Sequence, residues 1–550
     1  MPTSTETIAI LLPEITLVVL AAWIYVGSAM TGAQRGWGLL TLATLFVLAV
    51  SLLRQDLALQ PRWAGWDLDG APPQVARVVF GPLTLDMFGQ TMRLAAVCFA
   101  GLFVLSGLRA PTVRLPGEYL GSLILVFVGL MLASTAGDLV LLFVGLELVS
   151  IPTYVLLYLG RTDDASAEAA AKYFYLSILA SSLLLYGISF LYGVAGSTGL
   201  VEIRDQLVAA SAGGAGAELL GLLPLGLVLI FAGLGFKIAA VPFHFYAPDV
   251  YQGASHLNAG LLAVVPKIAG VVALVRLVVL AMPTIQPLGW QIALALAALT
   301  MTLGNVCALW QKNIRRLMAY SSIAHAGYML IALAVALASS GSRAPTYEGL
   351  GALLFYLLIY GVATAGTFAS LACLSGGGEE LNDVVQLSGL GRSRPWLAAA
   401  LAVFMFSLAG IPPLAGFWGK LTLFTAALGT ARDLGDSAAA WWFLVLAVVA
   451  ALNAAVAAGY YLRVVGVIYF HEPVGGRTVG TDGVAGAGLA ALACAVLMVV
   501  GGILHGPLLQ RAREAGRAAM LSRPMAASPQ PALERTARPP RPAGVAAQLE

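Results

Sequence analysis

What most constrains this chain is the recurrence of nearly uncharged apolar runs about 20 residues long, the span an α-helix needs to cross hydrocarbon. Segmentation by hydropathy gives about fourteen, near residues 7–28, 36–53, 86–108, 118–136, 138–160, 171–194, 219–241, 257–281, 288–310, 317–338, 348–374, 395–428, 439–470 and 485–505. The runs are continuous in Leu, Ala and Val rather than alternating at every second residue, which argues against a transmembrane barrel. Only 10% of the 550 residues are charged, where a soluble domain carries about 25%. The fold class that follows is an all-α polytopic membrane protein. The first run begins by Thr7 with no Lys or Arg ahead of it, so it lacks the basic flank of a secretory leader and reads as a membrane helix.

Connections are mostly short, with a longer one at 54–85 and glycine-rich ones at 195–218 and 375–394. The expected organisation is a three-helix segment at 1–117, two five-helix halves at 118–281 and 288–470, a last helix at 485–505 and a tail at 506–550. Residues 511–550 hold seven arginines against Glu514, Glu534 and Glu550, and with their Pro and Ala they read as disordered. Lys and Arg in the short loops favour an outward N-terminus, by ten on one side to six on the other. The basic tail would then also lie outside, against the usual bias.

Five ionisable residues stand inside apolar helices. Glu147 lies within "LLFVGLELVSIPTYVLLYLG", Lys172 opens the sixth helix, Lys237 is in the seventh, Lys267 in the eighth and Lys420 in the twelfth. Each central charge costs roughly 2.5–3.5 kcal/mol on the insertion scale, and five together on the order of 12–17 kcal/mol. That is comparable to the net stability of a whole domain. Such residues face the bundle interior or water, pair with one another, and mark ion routes. Lys172 is close enough to its helix end for snorkelling and function to stand level. Arg276 and Arg463, toward the ends of their helices, read as interfacial anchors. Asp138 reads as the cap of the fifth helix.

Prolines sit beside two of these lysines: Pro242 five residues after Lys237, and Pro412–Pro413 before Lys420. A proline frees a backbone carbonyl, tolerated in a membrane only where protein or water satisfies it. Discontinuous helices seven and twelve therefore imply an inverted repeat, helices 4–8 against 9–13, of the kind transporters use at mid-membrane sites. His244 and His325 are candidate relay points, since histidine changes protonation near neutral pH and has two distinct nitrogens. His256 is left unassigned. Cys98, Cys307, Cys373 and Cys494 lie far apart in apolar runs, with no ligand spacing for an iron–sulfur or zinc site. No Walker lysine or glycine-rich nucleotide turn is present, so no cofactor and no metal is expected in this chain.

The stretches "ELVSIPTYVL", "EAAAKYFYLSILASSLLLYG", "GLGFKIAAVPFHFYAPDVYQGA", "QKNIRRLMAYSSIAHAGYML" and "AGIPPLAGFWGKL" resemble the subunit N family of proton-pumping NADH:quinone oxidoreductase, respiratory complex I, from about residue 118 to 470. The resemblance implies a fourteen-helix antiporter-like subunit in the membrane arm, placed in the bacterial cell inner membrane beside the other antiporter-like subunits. NAD, FMN, iron–sulfur clusters and quinone then belong to partner subunits. By motif position Glu147 matches the family's fifth-helix glutamate and Lys172 its sixth-helix partner. Lys237, Lys267 and Lys420 match its seventh-, eighth- and twelfth-helix lysines, and His244 its "PFH" histidine. One stretch departs from the pattern: where the family reads "GAPTPVTAFLS", this chain reads "GASHLNAGLLA", which puts the local build of the seventh-to-eighth helix join in question.

The expected chemistry is proton translocation along the Glu/Lys/His row, driven by quinone reduction elsewhere. Burial disfavours a lysine's charged form and a carboxylate favours it, so a lysine between the two can gain and lose a proton as its neighbour moves. Glu147 is expected close to Lys172, with Lys237 as its second partner. Two alternatives share the fold: a subunit of a stand-alone Na⁺/H⁺ antiporter, and one of a related ferredoxin-fed complex.

Overall fold

The computed structural model describes residues 4–31, 34–63, 77–108, 115–161, 163–214, 217–338, 348–375, 381–473 and 485–521. Among these, thirteen helices are long and apolar enough to cross a membrane. A fourteenth span is assembled from two shorter pieces, Pro395–Ala409 and Ala415–Asp433, so the twelfth helix is discontinuous as expected. The seventh is broken too. Its first piece, Leu223–Ile238, ends in a left-handed residue at Ala239, and a short second piece, Ala247–Gly253, follows the break. The eighth helix, His256–Leu274 continuing as a π-helical Val275–Ala281, is buried throughout and forms the centre of the bundle.

The inverted repeat is visible in backbone hydrogen bonds. Before the fifth helix (Leu139–Leu159), the Leu139 amide donates to Thr198 O and the Leu200 amide to Gly137 O, both at 2.8 Å. Before the tenth (Ile314–Ala338), the Ile314 amide donates to Asn382 O at 2.7 Å and the Val384 amide to Lys312 O at 2.9 Å. Asp138 and Asn313 then cap the two helices in the same way, each accepting from the amides two and three residues on. Five helices separate the two joins, an odd number, so they lie on opposite sides of the membrane.

Several connections differ from the sequence reading. The loop at 54–85 contains an antiparallel hairpin, β1 (Arg77–Phe80) and β2 (Leu83–Asp86), where no strand was expected. The glycine-rich join at 195–218 folds a helix, Leu200–Ser211, whose buried Leu200, Ile203 and Leu207 recur at helical spacing. The tail is helical over His505–Leu521 and seated on the bundle: Arg511 pairs with Asp56, and the His505 ring stacks on Trp418 at 3.7 Å. The reading of 506–550 as disordered is therefore wrong for its first part, an amphipathic helix whose buried face carries Ala512, Ala515, Ala518 and Ala519. Residues 522–550 lie outside the described residues.

Arg276 is not an interfacial anchor. It is 1% exposed and grips Asp86, at the end of β2, with both guanidinium arms, while donating to Ser134 O at 2.6 Å. The hairpin folds a carboxylate under the eighth helix, and that partner is invisible without the strand pairing. Arg463 does act at a helix end, donating to Leu309 O and Gln311 O at 2.7 Å each. A second buried pair, Arg93 with Glu14 at 2.7 Å, ties the third helix to the first.

Candidate functional site

Lys237 stands in the last turn of the first piece of the seventh helix, where unpaired carbonyls make the helix end negative and favour a cation. It is 5% exposed. Its ammonium donates to Glu147 Oε1 at 3.3 Å and to Ser150 Oγ at 2.7 Å. Ser181, on the sixth helix (Asp164–Ala195), donates to the same Glu147 oxygen at 2.5 Å. Glu147 is thus fixed between the fifth, sixth and seventh helices, and its partner is Lys237.

Lys172 is not that partner. It is 42% exposed at its side chain, bonds Glu168 one turn back at 2.5 Å and lies 3.6 Å from Asp249. The reason is register. Ser181, nine residues along the sixth helix and about 13 Å further down its axis, is the residue that meets Glu147. Lys172 belongs instead to a charged mouth with Asp249, which also takes Arg316 at 2.5 Å.

The break after Ile238 is satisfied from outside. The Val241 amide donates to Thr300 Oγ1 at 3.0 Å, and the Tyr246 hydroxyl reaches back to Phe236 O at 2.9 Å. Ile238 O takes Lys267 Nζ at 2.7 Å. Lys267 makes its other hydrogen bond to Ser322 O, at 2.9 Å, and is 1% exposed. A Cβ at Gly270, one turn on, would lie 2.7 Å from Ile238 Cγ2, so only glycine lets the eighth helix approach this closely. His244 lies in the same break, with Nδ1 buried and without a hydrogen-bond partner.

Lys420 repeats the arrangement in the second half. It is 4% exposed and donates to Ala409 O at 2.9 Å, the last carbonyl before the left-handed Gly410. Its ammonium lies 5.0 Å from the centre of the Tyr328 ring, a cation–π distance. Both broken helices therefore end on a carbonyl held by a buried lysine. In the first half the lysine comes from the next helix; in the second it comes from the far piece of the same one.

His325 occupies the space between them. Nδ1 meets the Tyr356 hydroxyl at 2.5 Å and Nε2 the Tyr461 hydroxyl at 3.0 Å. Both Lys267 and Lys420 lie within its electrostatic reach. Ser322, three residues earlier on the same helix, accepts from Lys267 at its carbonyl and meets the Tyr360 hydroxyl through its own at 2.8 Å. Tyr360 donates to Ala263 O at 3.1 Å, so Ser322 must be the donor in that pair. The Tyr360 ring lies 5.0 Å from the imidazole.

Sequence reasoning missed Ser150, Ser181, Ser322, Tyr356, Tyr360 and Tyr461. For Ser150 a signal exists: it follows Glu147 by three residues, on the same helix face. The altered "GASHLNAG" stretch builds a helix start. Ser255 caps the eighth helix, accepting from the Asn258 amide at 3.3 Å, and His256 is its buried first residue. Asn258 ties the start down, donating to Leu156 O and accepting from the Tyr119 hydroxyl, both at 2.6 Å. Among the described residues no group of three or more His, Cys, Asp or Glu is placed to hold a metal ion.

The profile of the family described as "NADH:quinone oxidoreductase/Mrp antiporter, TM" matches residues 136–453. NADH-quinone oxidoreductase subunit N of Rhodospirillum rubrum is 36% identical over 470 residues, 84% of this chain and 87% of that one. Among solved structures, a chain of respiratory complex I from Thermus thermophilus with bound aureothin superposes with a TM-score of 0.70 at 33% identity, covering 90% of this chain and 98% of that one. A chain of the Mrp complex from Dietzia sp. DQ12-45-1b gives 0.73 at 23% identity, over 94% and 97% of the two chains, a likeness of fold alone.

Proposed function

The chain belongs to the NADH:quinone oxidoreductase/Mrp antiporter membrane family and, within it, to the subunit N proteins of NADH-quinone oxidoreductase, and from that membership we propose the route its protons take. It is a proton-translocating, multi-pass membrane-arm subunit of a bacterial respiratory complex I, one among several, in the cell inner membrane. The proton rests first on Lys237, held by Glu147 and Ser150. It passes the break beside His244 to Lys267, crosses by Ser322 to His325, and leaves by Lys420. Carbonyls orient an ammonium but cannot take its proton, so Lys267 hands on only to titratable neighbours, and beyond Ser322 these are Tyr360, bonded to the serine hydroxyl, and His325, whose ring lies 5.0 Å from that of Tyr360. Buried sites this close titrate as a row rather than singly.

Driving one charge against 100 mV costs about 2.3 kcal/mol. Quinone reduction in partner subunits supplies it, and NAD, FMN, iron–sulfur clusters and quinone are assigned to those partners. Lys172 serves the mouth and not the Glu147 pair. What supports the route above all is that Lys267 and Lys420 hold the carbonyl ends of the two broken helices with His325 between them. The test is Lys237→Ala in the assembled complex, with pumping followed by a pH-sensitive dye in inverted membrane vesicles. Abolished pumping is expected. Pumping at the parent rate would remove Lys237 from the route.

A further inference from the structure

The route leaves open how a proton reaches Lys237, and two hydroxyls near it have no part in what is described so far. The fifth and sixth helices run antiparallel, with polar side chains meeting in successive rungs. In the first rung Ser181 donates to Glu147. In the next, Ser150 accepts from Lys237 at 2.7 Å while its own proton goes to Leu146 O at 2.9 Å. One turn further along each helix stand Tyr154, four residues after Ser150 on the fifth, and Ser177, four residues before Ser181 on the sixth. Yet Tyr154 Oη and Ser177 Oγ are both buried without a direct hydrogen-bond partner, and Ser177 is 1% exposed. Beyond them the Tyr154 ring meets Tyr173 edge-on at 5.6 Å, and Tyr173 packs on Tyr246 at 5.7 Å. Lys172, next in sequence to Tyr173, opens onto the mouth formed with Glu168, Asp249 and Arg316.

Buried hydroxyls are rarely left unpaired, and a site with two to four convergent polar groups is what an ordered water occupies. We propose that Tyr154, Ser177 and Ser150, bridged by water, form the proton inlet that feeds Lys237 from the Lys172–Asp249 mouth. When Lys237 is a neutral amine, the Ser150 O–H bond breaks as an N–H bond forms on Nζ. Ser150 takes a proton from the Tyr154 hydroxyl, Tyr154 from the bridging water at Ser177, and that water from the mouth. One proton enters, one reaches the lysine, and each hydroxyl resets by rotation. The Glu147 carboxylate, one rung in, holds the arriving charge. The Tyr173 and Tyr246 rings wall the path and keep it narrow.

The inlet rests on the route proposed above, and the test separates the two. Ser177→Ala, Ser177→Thr and Tyr154→Phe are compared in the assembled complex, by initial pumping rate in inverted vesicles across a pH series, with Lys237→Ala in parallel. Ser177→Ala and Tyr154→Phe are expected to slow pumping several-fold, and more so as pH rises, because delivery then tracks the scarce bulk proton. Ser177→Thr, which keeps the hydroxyl, is expected to restore the parent profile. Tyr154→Phe keeps the ring and carries the test should Ser177→Ala fail to assemble. Parent rates at every pH in both hydroxyl-deletion variants, or equal losses in the Ala and Thr variants, would overturn the inlet. If pumping survives Lys237→Ala, the route itself fails. If that variant is dead while the hydroxyl variants are unaffected, only the inlet fails.

Discussion

Lys267 Nζ donates to the carbonyl oxygen of Ile238 at 2.7 Å, and Ile238 is the last residue of the first piece of the seventh helix. The lysine completes a helix end that proline chemistry left open, so one side chain has both a structural and a chemical task. The two can be parted. Lys267→Arg keeps a positive donor for Ile238 O and Ser322 O, but a guanidinium does not release its proton in a protein. We expect an assembled complex of near-parent thermal stability that does not pump. Lys267→Ala strands the buried Ile238 carbonyl at about 1–3 kcal/mol, while Ser322 O keeps its helical amide, and the melting temperature should fall as well. Pumping in the Arg variant would exclude titration of this residue.

Glu147→Gln removes the charge that faces Lys237 while leaving an amide oxygen for Ser181. A hydrogen bond to a charged group contributes about 1.5–3 kcal/mol, and Glu147 is 21% exposed at its side chain, so the loss should fall at the lower end of that range. A thermal shift measurement on the purified complex checks this. Vesicle pumping should drop sharply in the same preparation, since Lys237 then faces a neutral amide in place of the carboxylate charge that favours its ammonium.

Gly416 fixes how the two pieces of the twelfth helix meet. A Cβ there would lie 1.9 Å from Ser407 O and 2.6 Å from its carbonyl carbon. Backbone cannot yield as a flexible side chain can, so Gly416→Ala should cost more than the usual 1–3 kcal/mol or so of overpacking. Reduced assembly on native gels is the expected readout. Gly429→Ala on the same helix meets nothing within 4 Å and serves as the control.

Lys172→Gln tests the revised place of that residue. Its side chain is 42% exposed and paired with Glu168 and Asp249 at the mouth, so the melting temperature should stay close to the parent's. Pumping should slow only in part, and the deficit should shrink as added salt screens the mouth charges. A complete block like that expected of Lys237→Ala would return Lys172 to the buried row.

Glu147, Lys237, Lys267 and Lys420 were legible in the sequence because charge in an apolar helix is costly wherever that helix packs. The breaks were legible because Pro242 and Pro412–Pro413 cannot continue a helix quietly. Which carboxylate meets which lysine was not. Lys172 and Ser181 lie on the same helix, and only its register against the fifth puts the serine, not the lysine, opposite Glu147. Tyr356, Tyr360 and Tyr461 stayed hidden for another reason. A tyrosine in an apolar run reads the same whether its hydroxyl meets an imidazole or a backbone carbonyl. The Asp86–Arg276 clasp needed a strand pair between membrane helices, which hydropathy does not register.

Each fractured helix is pinned at its open end by an amine, and that couples two things usually treated apart. An amine stripped of its proton loses the charge by which it grips the carbonyl, so discharging the site also loosens the joint. The electrical state of the subunit and its shape are in that sense one variable, read by voltage from one direction and by mechanical strain from the other.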